Sequence, residues 1–116
     1  MRVSIDECVP QQIRRRLPGH DAWTVLKMGW SGKKNGALIK LMVAGGFVVL
    51  LTVDQSLPYQ QNLITAGIAV IVMISSGNRE ADLVPLMPQV LVVLDTIQPG
   101  DVVEVDASGQ RPANLP

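Results

Sequence analysis

The chain of 116 residues is 47% hydrophobic and 17% charged, with a formal net charge of zero. This length suits one domain with a sizeable core, and no apolar run reaches the roughly 18 uninterrupted residues of a membrane span. Cys8 is the single cysteine, which excludes an internal disulfide and is typical of a reducing compartment. The N-terminus lacks the basic region and apolar core of a signal peptide. We therefore expect a soluble, cytoplasmic protein with no membrane partner, in which Cys8 is a small buried residue.

The charge is divided unevenly along the chain. Residues 1–40 contain eight lysines and arginines and three acids, a net charge of +5, whereas the remainder contains two arginines and seven acids, a net charge of −5. A basic half can attract a phosphate backbone even when the whole chain is neutral. Ordinary solvated helix faces explain the same pattern equally well.

Strand and helix signals alternate along the first half of the chain. Pro10 is placed to open a helix, Pro18-Gly19 to close it, and Gly45-Gly46 to close the next one. The predicted elements are a strand over 2–6, a short helix over 11–17, a strand over 20–25 and a helix over about 36–44.

The second half continues the alternation. Residues 47–53 and 68–74 are too uniformly apolar for a one-sided sheet, so we predict central parallel strands covered on both faces. A short helix over 60–65 separates these two strands. The helical pattern over 79–97 contains Pro85 and Pro88, each of which removes a helical hydrogen bond, and we predict a break there.

A last strand over 102–105 completes the predicted domain, residues 1–106. Residues 107–116 contain two prolines and no apolar cluster, and we expect a flexible C-terminal tail. The order of elements predicts the α/β class, as a three-layer α/β/α domain with a mainly parallel central sheet of four to five strands.

Two of the apolar strands end in acids. Ile5 is followed by Asp6 and Glu7, and Val53 by Asp54. Ligands bind at the carboxyl ends of the strands in open α/β sheets, so these carboxylates predict a divalent-cation pocket suited to phosphodiester chemistry. Glu7 joins that pocket only if the strand has ended before it. The alternative is that Asp6 and Asp54 cap loop amides or helix N-termini.

Six segments in chain order resemble a family of small PIN-like bacterial domains. They are Ile5-Asp6-Glu7-Cys8-Val9-Pro10, Gly29-Trp30-Ser31-Gly32, Lys34-Asn35-Gly36-Ala37-Leu38, Leu51-Thr52-Val53-Asp54-Gln55-Ser56-Leu57, Tyr59-Gln60-Gln61-Asn62-Leu63 and Ser76-Gly77-Asn78-Arg79. Single pieces are weak signals, but the ordered set covers about residues 1–105 and is fairly specific.

PIN domains are metal-dependent ribonucleases, and in bacteria they are often the toxin of a toxin–antitoxin pair. The resemblance therefore implies a PIN-like fold, RNA as substrate and an antitoxin protein as partner, and with the apolar composition it indicates a homodimer. It places Asp6 and Asp54 as carboxylate ligands of Mg²⁺ or Mn²⁺, a cation that would stabilise charge on the phosphate. Glu7 is the third candidate catalytic acid.

Basic and polar side chains supply the candidates for RNA binding, with solvated surface as the alternative. They are Arg14, Arg15, Lys33, Lys34, Asn35, Gln61, Asn62 and Arg79. A cation at the start of a helix opposes the dipole, so Arg79 favours a phosphate- or carboxylate-binding role. Asn78 is interpreted as the N-cap of that helix. Trp30 and Tyr59, in predicted loops, are the aromatic rings available to stack on bases.

The chain departs from the family at two places. Relatives usually have an acid where Ala37 stands, and many have a second acid at the position of Gln55-Ser56. Fewer carboxylates weaken a cation site, so the second hypothesis is a catalytically degenerate PIN-like module that binds RNA or a protein partner without cleavage. A flavodoxin-like phosphate-binding domain is a third, disfavoured because no glycine-rich loop follows the first strand.

Overall fold

The computed structural model describes residues 1–33, 35–56 and 60–112, without the side chains of Asn35 and Gln60. Within these residues one sheet has six strands, β1 (Arg2–Ile5), β2 (Asp21–Thr24), β3 (Val49–Thr52), β4 (Ala69–Met73), β5 (Val102–Asp106) and β6 (Gly109–Pro112). The helices are an N-terminal 3₁₀ helix (Gln11–Arg16), α1 (Asn35–Ala44), α2 (Gln60–Thr65), α3 (Glu80–Leu83), a 3₁₀ turn (Val84–Leu86) and α4 (Met87–Leu94).

The strand order is β2-β1-β3-β4-β5-β6, and every neighbouring pair is parallel except β5 with β6. The chain winds from β1 outward to β2 and then returns to the other side of β1 to form β3. The direction of winding therefore reverses between β1 and β3, which makes their carboxyl ends the topological switch point. The predicted three-layer α/β class with a mainly parallel sheet is confirmed, with one strand more than the four to five expected.

Alternate residues of the central strands enter two apolar cores. Val49 and Leu51 of β3 belong to the core shared with the N-terminal 3₁₀ helix, α3 and α4, and Leu50 belongs to the core shared with α1 and α2. All residues of β3 and β4 are buried. The prediction that these strands are covered on both faces is confirmed.

The predicted helix stops agree with the structure. α1 ends just before Gly45-Gly46, and Gly46 has a φ of +77°, the left-handed conformation that closes helices at glycine. The helix predicted over 79–97 is broken into α3 and α4 by the 3₁₀ turn that contains Pro85. Pro88 lies in the first turn of α4. Backbone N–H groups of a first turn have no partner within the helix, so a proline there costs no helical hydrogen bond. None of the described helices is long and apolar enough to cross a membrane.

The prediction of a flexible tail over 107–116 is wrong for residues that the structure describes. Gly109–Pro112 form β6, antiparallel to β5. Arg111 donates a 2.8 Å hydrogen bond to Asp106, and this bond lowers the pKa of the Asp106 carboxyl. β6 has polar side chains and a proline because it is an exposed edge strand, where proline is tolerated. Residues 113–116 lie outside the described part of the chain.

Candidate functional site

A cleft of about 520 Å³ opens at the carboxyl ends of β1 and β3, at the switch point of the sheet. Asp6 directly follows β1, and Asp54 follows β3 after one intervening residue. Both acids line this cleft, because parallel neighbouring strands deliver them to the same edge. The other residues that line it are Glu7, Cys8, Val25, Lys33, Leu38, Val53, Gln55 and Asn78.

The hydroxyl of Thr52 connects the two acids. Thr52 is fully buried at the end of β3, where its hydroxyl donates to Oδ2 of Asp6 at 2.8 Å and accepts from the backbone N–H of Asp54 at 3.1 Å. Oδ1 of Asp6 accepts from the backbone N–H of Glu7 at 2.8 Å. Sequence reasoning missed Thr52, although a lone hydroxyl in an apolar strand two residues before an acid is a usable signal.

Asp54 is held by the residue two positions after it. Its Oδ1 accepts hydrogen bonds from the backbone N–H and the hydroxyl of Ser56, at 3.0 and 3.1 Å. No residue in the described part of the chain donates to Oδ2 of Asp54. This oxygen is therefore available to a cation, and Oδ1 of Asp6 keeps one acceptor position beyond its bond from Glu7.

The donor set fits some cations better than others. Among the described residues there is no group of three or more histidine, cysteine, aspartate or glutamate side chains arranged to hold a metal ion. Mg²⁺ usually binds through one or two carboxylates, retained waters and substrate phosphates, whereas Ca²⁺ takes six to eight oxygen ligands. Two carboxylates in an open cleft therefore fit Mg²⁺, or the chemically similar Mn²⁺, completed by water and phosphate.

Glu7 holds the loop that contains Gly32 and precedes Lys33. β1 ends at Ile5, before Glu7, which is the condition for Glu7 to reach the site. Its Oε1 accepts a 2.7 Å hydrogen bond from the backbone N–H of Gly32, 25 positions along the chain. Gly32 has a φ of +81°, which residues with a Cβ rarely adopt. The bond orders the loop that precedes Lys33, and Lys33 lines the cleft.

Cys8 is exposed at the cleft, so the expectation that it is buried is wrong. Its Sγ lies 3.5 Å from Oδ2 of Asp6 and 3.5 Å from the hydroxyl oxygen of Thr52. Desolvation against the cleft walls raises the pKa of the thiol above its ordinary value, and the Asp6 carboxylate adds to that shift. The thiol is therefore protonated at neutral pH and donates to Asp6.

The residues predicted to bind RNA are spread over the surface. Lys33 is in the cleft, Arg15 is exposed on the N-terminal 3₁₀ helix, and Gln61 and Asn62 are exposed on α2. Two candidates lie outside the described atoms, Lys34 and the side chain of Asn35.

Arg14 and Trp30 are already engaged within the protein. The Arg14 guanidinium stands 4.3 Å from the ring centroid of Trp23, and its Nε donates to the carbonyl of Ala22. Trp30 packs edge-on against Phe47, with ring centroids 5.5 Å apart. The ring of Trp30 is therefore part of the packing rather than a free platform for bases. The other stacking candidate, Tyr59, lies outside the described residues.

Asn78 has a role different from the one predicted, whereas Arg79 binds a carboxylate, one of the two roles predicted for it. Arg79, not Asn78, is the N-cap of α3, and Asp82 accepts from both its backbone N–H and its Nε, at 3.2 and 3.3 Å. The unfavourable cation at this helix end is compensated by that carboxylate. Asn78 instead lines the cleft.

The cleft thus combines the carboxylates of Asp6 and Asp54 with the ammonium group of Lys33 and the amide of Asn78, while Glu7 holds the adjoining loop. Such a set is able to bind a divalent cation together with phosphate oxygens. Comparisons of the chain with protein-family models, curated proteins and solved structures found no match.

Proposed function

We propose that the chain is a Mg²⁺- or Mn²⁺-dependent endoribonuclease of PIN-like type, with its active site in the cleft between the ends of β1 and β3. One observation carries the proposal: Asp6 and Asp54 line a single cleft at the switch point and are connected through Thr52. The resemblance of the sequence to PIN-like domains supports the same chemistry.

Each residue has a defined task in this proposal. Asp6 and Asp54 hold the cation, which supplies Lewis-acid stabilisation of the charge that develops on a phosphodiester. Thr52 fixes the orientation of Asp6, as groups behind a metal ligand commonly do. Lys33 attracts the phosphate through its charge, and the amide of Asn78 donates to a phosphate oxygen.

The test is cleavage of single-stranded RNA with Mg²⁺, with Mn²⁺ and with EDTA. Asp6→Asn and Asp54→Asn keep the side-chain shape but lose the charge, and each lowers the rate by about 10²-fold or more. Asp95→Asn is the matched control, because it removes an exposed carboxylate at the end of α4, away from the cleft. Cleavage that survives both cleft substitutions would refute the proposal.

The second candidate function is RNA or protein binding without cleavage. It is favoured by the small donor set, with no group of three metal-binding side chains among the described residues, and by Ala37 in place of the acid usual in the PIN-like domains that the sequence resembles. It predicts RNA binding that is unchanged by EDTA, with no turnover at any Mg²⁺ or Mn²⁺ concentration. Robust metal-dependent cleavage rules it out.

The proposal also covers the cellular location of the chain and its protein partners. The single cysteine supports a reducing, cytoplasmic location. If the partner is an antitoxin, expression of the chain alone should slow growth, and a small protein encoded beside it should restore growth. A homodimer predicts twice the monomer mass in sedimentation equilibrium.

A further inference from the structure

The uneven charge of the sequence becomes a division between two sides of the sheet. Residues 1–44 contain β1, β2, the N-terminal 3₁₀ helix and α1. In the strand order β2 is the edge strand next to β1, on one side of the switch point between β1 and β3. β4, β5 and β6 extend from the switch point in the opposite direction. The strands of the basic part, β1 and β2, therefore lie on one side of the switch point, the strands β4, β5 and β6 of the acidic part lie on the other, and the cleft is at the boundary.

The cations of the two sides also differ in their pairing. In the acidic part of the chain Arg79 pairs with one acid and Arg111 with two. On the β2 side Arg2 pairs with Asp21. The remaining basic side chains of this side that the structure describes form no ion pair with a described residue, and they are Arg14, Arg15, Arg16, Lys27, Lys33 and Lys40.

Depressions lead from the acidic cleft to several of these cations, and each shares wall residues with the next. The cleft shares Asp6-Glu7 with a smaller depression of about 190 Å³. That depression shares Gln11 and Thr24 with a third of about 350 Å³, which Lys27 also lines. The third shares Arg14-Arg15 with a fourth of about 300 Å³. We call this path, from the cleft past Gln11 to Lys27 and Arg14-Arg15, the β2-side track.

We infer that the β2-side track binds the phosphodiester backbone of single-stranded RNA, so that the strand leaves the cleft toward β2 and not toward β5. The identity of the strand in the cleft rests on the proposed function. Successive unpaired cations match a chain with one negative charge on each residue, and their neutralisation releases bound counterions. In the acidic part of the chain both arginines are already paired with acids, and the surplus acids repel the same chain.

The shape of the track favours a single strand over a duplex. The path turns from the carboxyl edge of the sheet onto its β2 edge, in a molecule that measures only 33 × 32 × 25 Å. A nucleic-acid duplex is stiff, with a persistence length of about 50 nm in the case of double-stranded DNA, and resists a turn on this scale. A single strand follows it at little cost.

Arg15 and Lys27 are the residues to change. Both are exposed, so their charges are removable without loss of packing. Arg14 is less suitable, because it packs on Trp23 and its Nε donates to the Ala22 carbonyl. Lys40 is the matched control, since it is exposed on α1, carries the same charge and lines none of the four depressions.

The experiment measures binding of a fluorescent oligouridylate of about twelve nucleotides in EDTA, over a range of salt concentrations. Arg15→Gln and Lys27→Gln each weaken binding about two- to fivefold. Each also reduces the magnitude of the slope of log affinity against log salt by about 0.7. Lys40→Gln leaves affinity unchanged, and a duplex of the same length binds more weakly.

Three results would overturn the inference: equal losses in all three variants, no loss in Arg15→Gln and Lys27→Gln, or equally tight binding of the duplex. Equal competition by poly-glutamate would overturn the assignment to a phosphodiester chain. The proposed function fails separately, if no metal-dependent cleavage accompanies track-dependent binding. Cleavage that requires Asp6 but shows no dependence on Arg15 and Lys27 overturns the track alone.

Discussion

Thr52 and Asp6 are joined by a 2.8 Å hydrogen bond from the threonine hydroxyl to Oδ2 of the carboxylate, between residues 46 positions apart at the ends of neighbouring strands. The same hydroxyl accepts from the backbone N–H of Asp54. One buried hydroxyl therefore sets the relative positions of the two acids on which the proposed chemistry depends.

Thr52→Val keeps the shape of the side chain and removes this connection. The free energy of unfolding should fall by about 1–3 kcal/mol, because the partly buried N–H of Asp54 loses its acceptor. Cleavage should fall about 10- to 100-fold, as expected when the support of a metal ligand is lost. Urea unfolding and single-turnover cleavage measure the two effects. Thr52→Ser retains the hydroxyl and should keep most of the activity, and equal activity of the two variants would contradict the role of Thr52.

The bond between Glu7 and Gly32 predicts the exchange behaviour of one amide. In Glu7→Ala the N–H of Gly32 loses its 2.7 Å acceptor, and its hydrogen-exchange protection should decrease. Glu7→Gln offers a carbonyl oxygen at the same place and should preserve most of the protection. Amide exchange measured by NMR reports both. Unchanged protection of Gly32 in Glu7→Ala would show that Glu7 does not order this loop.

The raised pKa of Cys8 predicts slow alkylation. Iodoacetamide reacts with the thiolate, so the rate at neutral pH should be below that of an unhindered cysteine and should rise only at alkaline pH. The folded thiol holds its proton more tightly than the unfolded thiol, so stability should decline as the pH rises above the ordinary pKa of cysteine. Asp6→Asn removes a charge that raises this pKa, and the pH profile of alkylation should move to lower pH. A profile that does not move would exclude Asp6 as a cause.

Gly77 has no room for a side chain. A Cβ at this position would clash with Oδ2 of Asp82, the oxygen that accepts from Arg79 at the start of α3. Gly77→Ala should therefore lower stability by about 1–3 kcal/mol, because this carboxylate has to move away. In Gly36→Ala, on α1, the added methyl meets no atom within 4 Å and should raise stability by about 0.4–1 kcal/mol. Urea unfolding of both variants tests the contrast.

The sheet was predictable from sequence because its signals are local. Uniformly apolar runs identified β3 and β4 as covered on both faces, and Pro85 predicted the break in the last helical region. β6 was missed because an edge strand buries little and has no apolar alternation. β6 forms because its backbone pairs with β5, and the residues of β6 themselves carry no signal of that pairing.

The site was predictable only in part, for a related reason. The strand ends that carry Asp6 and Asp54 are visible in the sequence, since each follows an apolar run. The contacts that orient them join distant segments, such as Glu7 with Gly32, and no periodicity reveals such pairs. The sequence predicts a phosphate- or carboxylate-binding role for Arg79, and the fold identifies Asp82 as the carboxylate it binds.

The most direct measurement is anomalous diffraction from crystals soaked in Mn²⁺. We expect one Mn²⁺ peak in the cleft, within about 2.0–2.6 Å of a carboxylate oxygen of both Asp6 and Asp54. The peak should be absent from crystals of Asp54→Asn and present in those of Asp95→Asn. A Mn²⁺ ion that contacts neither acid, or a cleft without a peak at saturating Mn²⁺, would contradict the shared cation site.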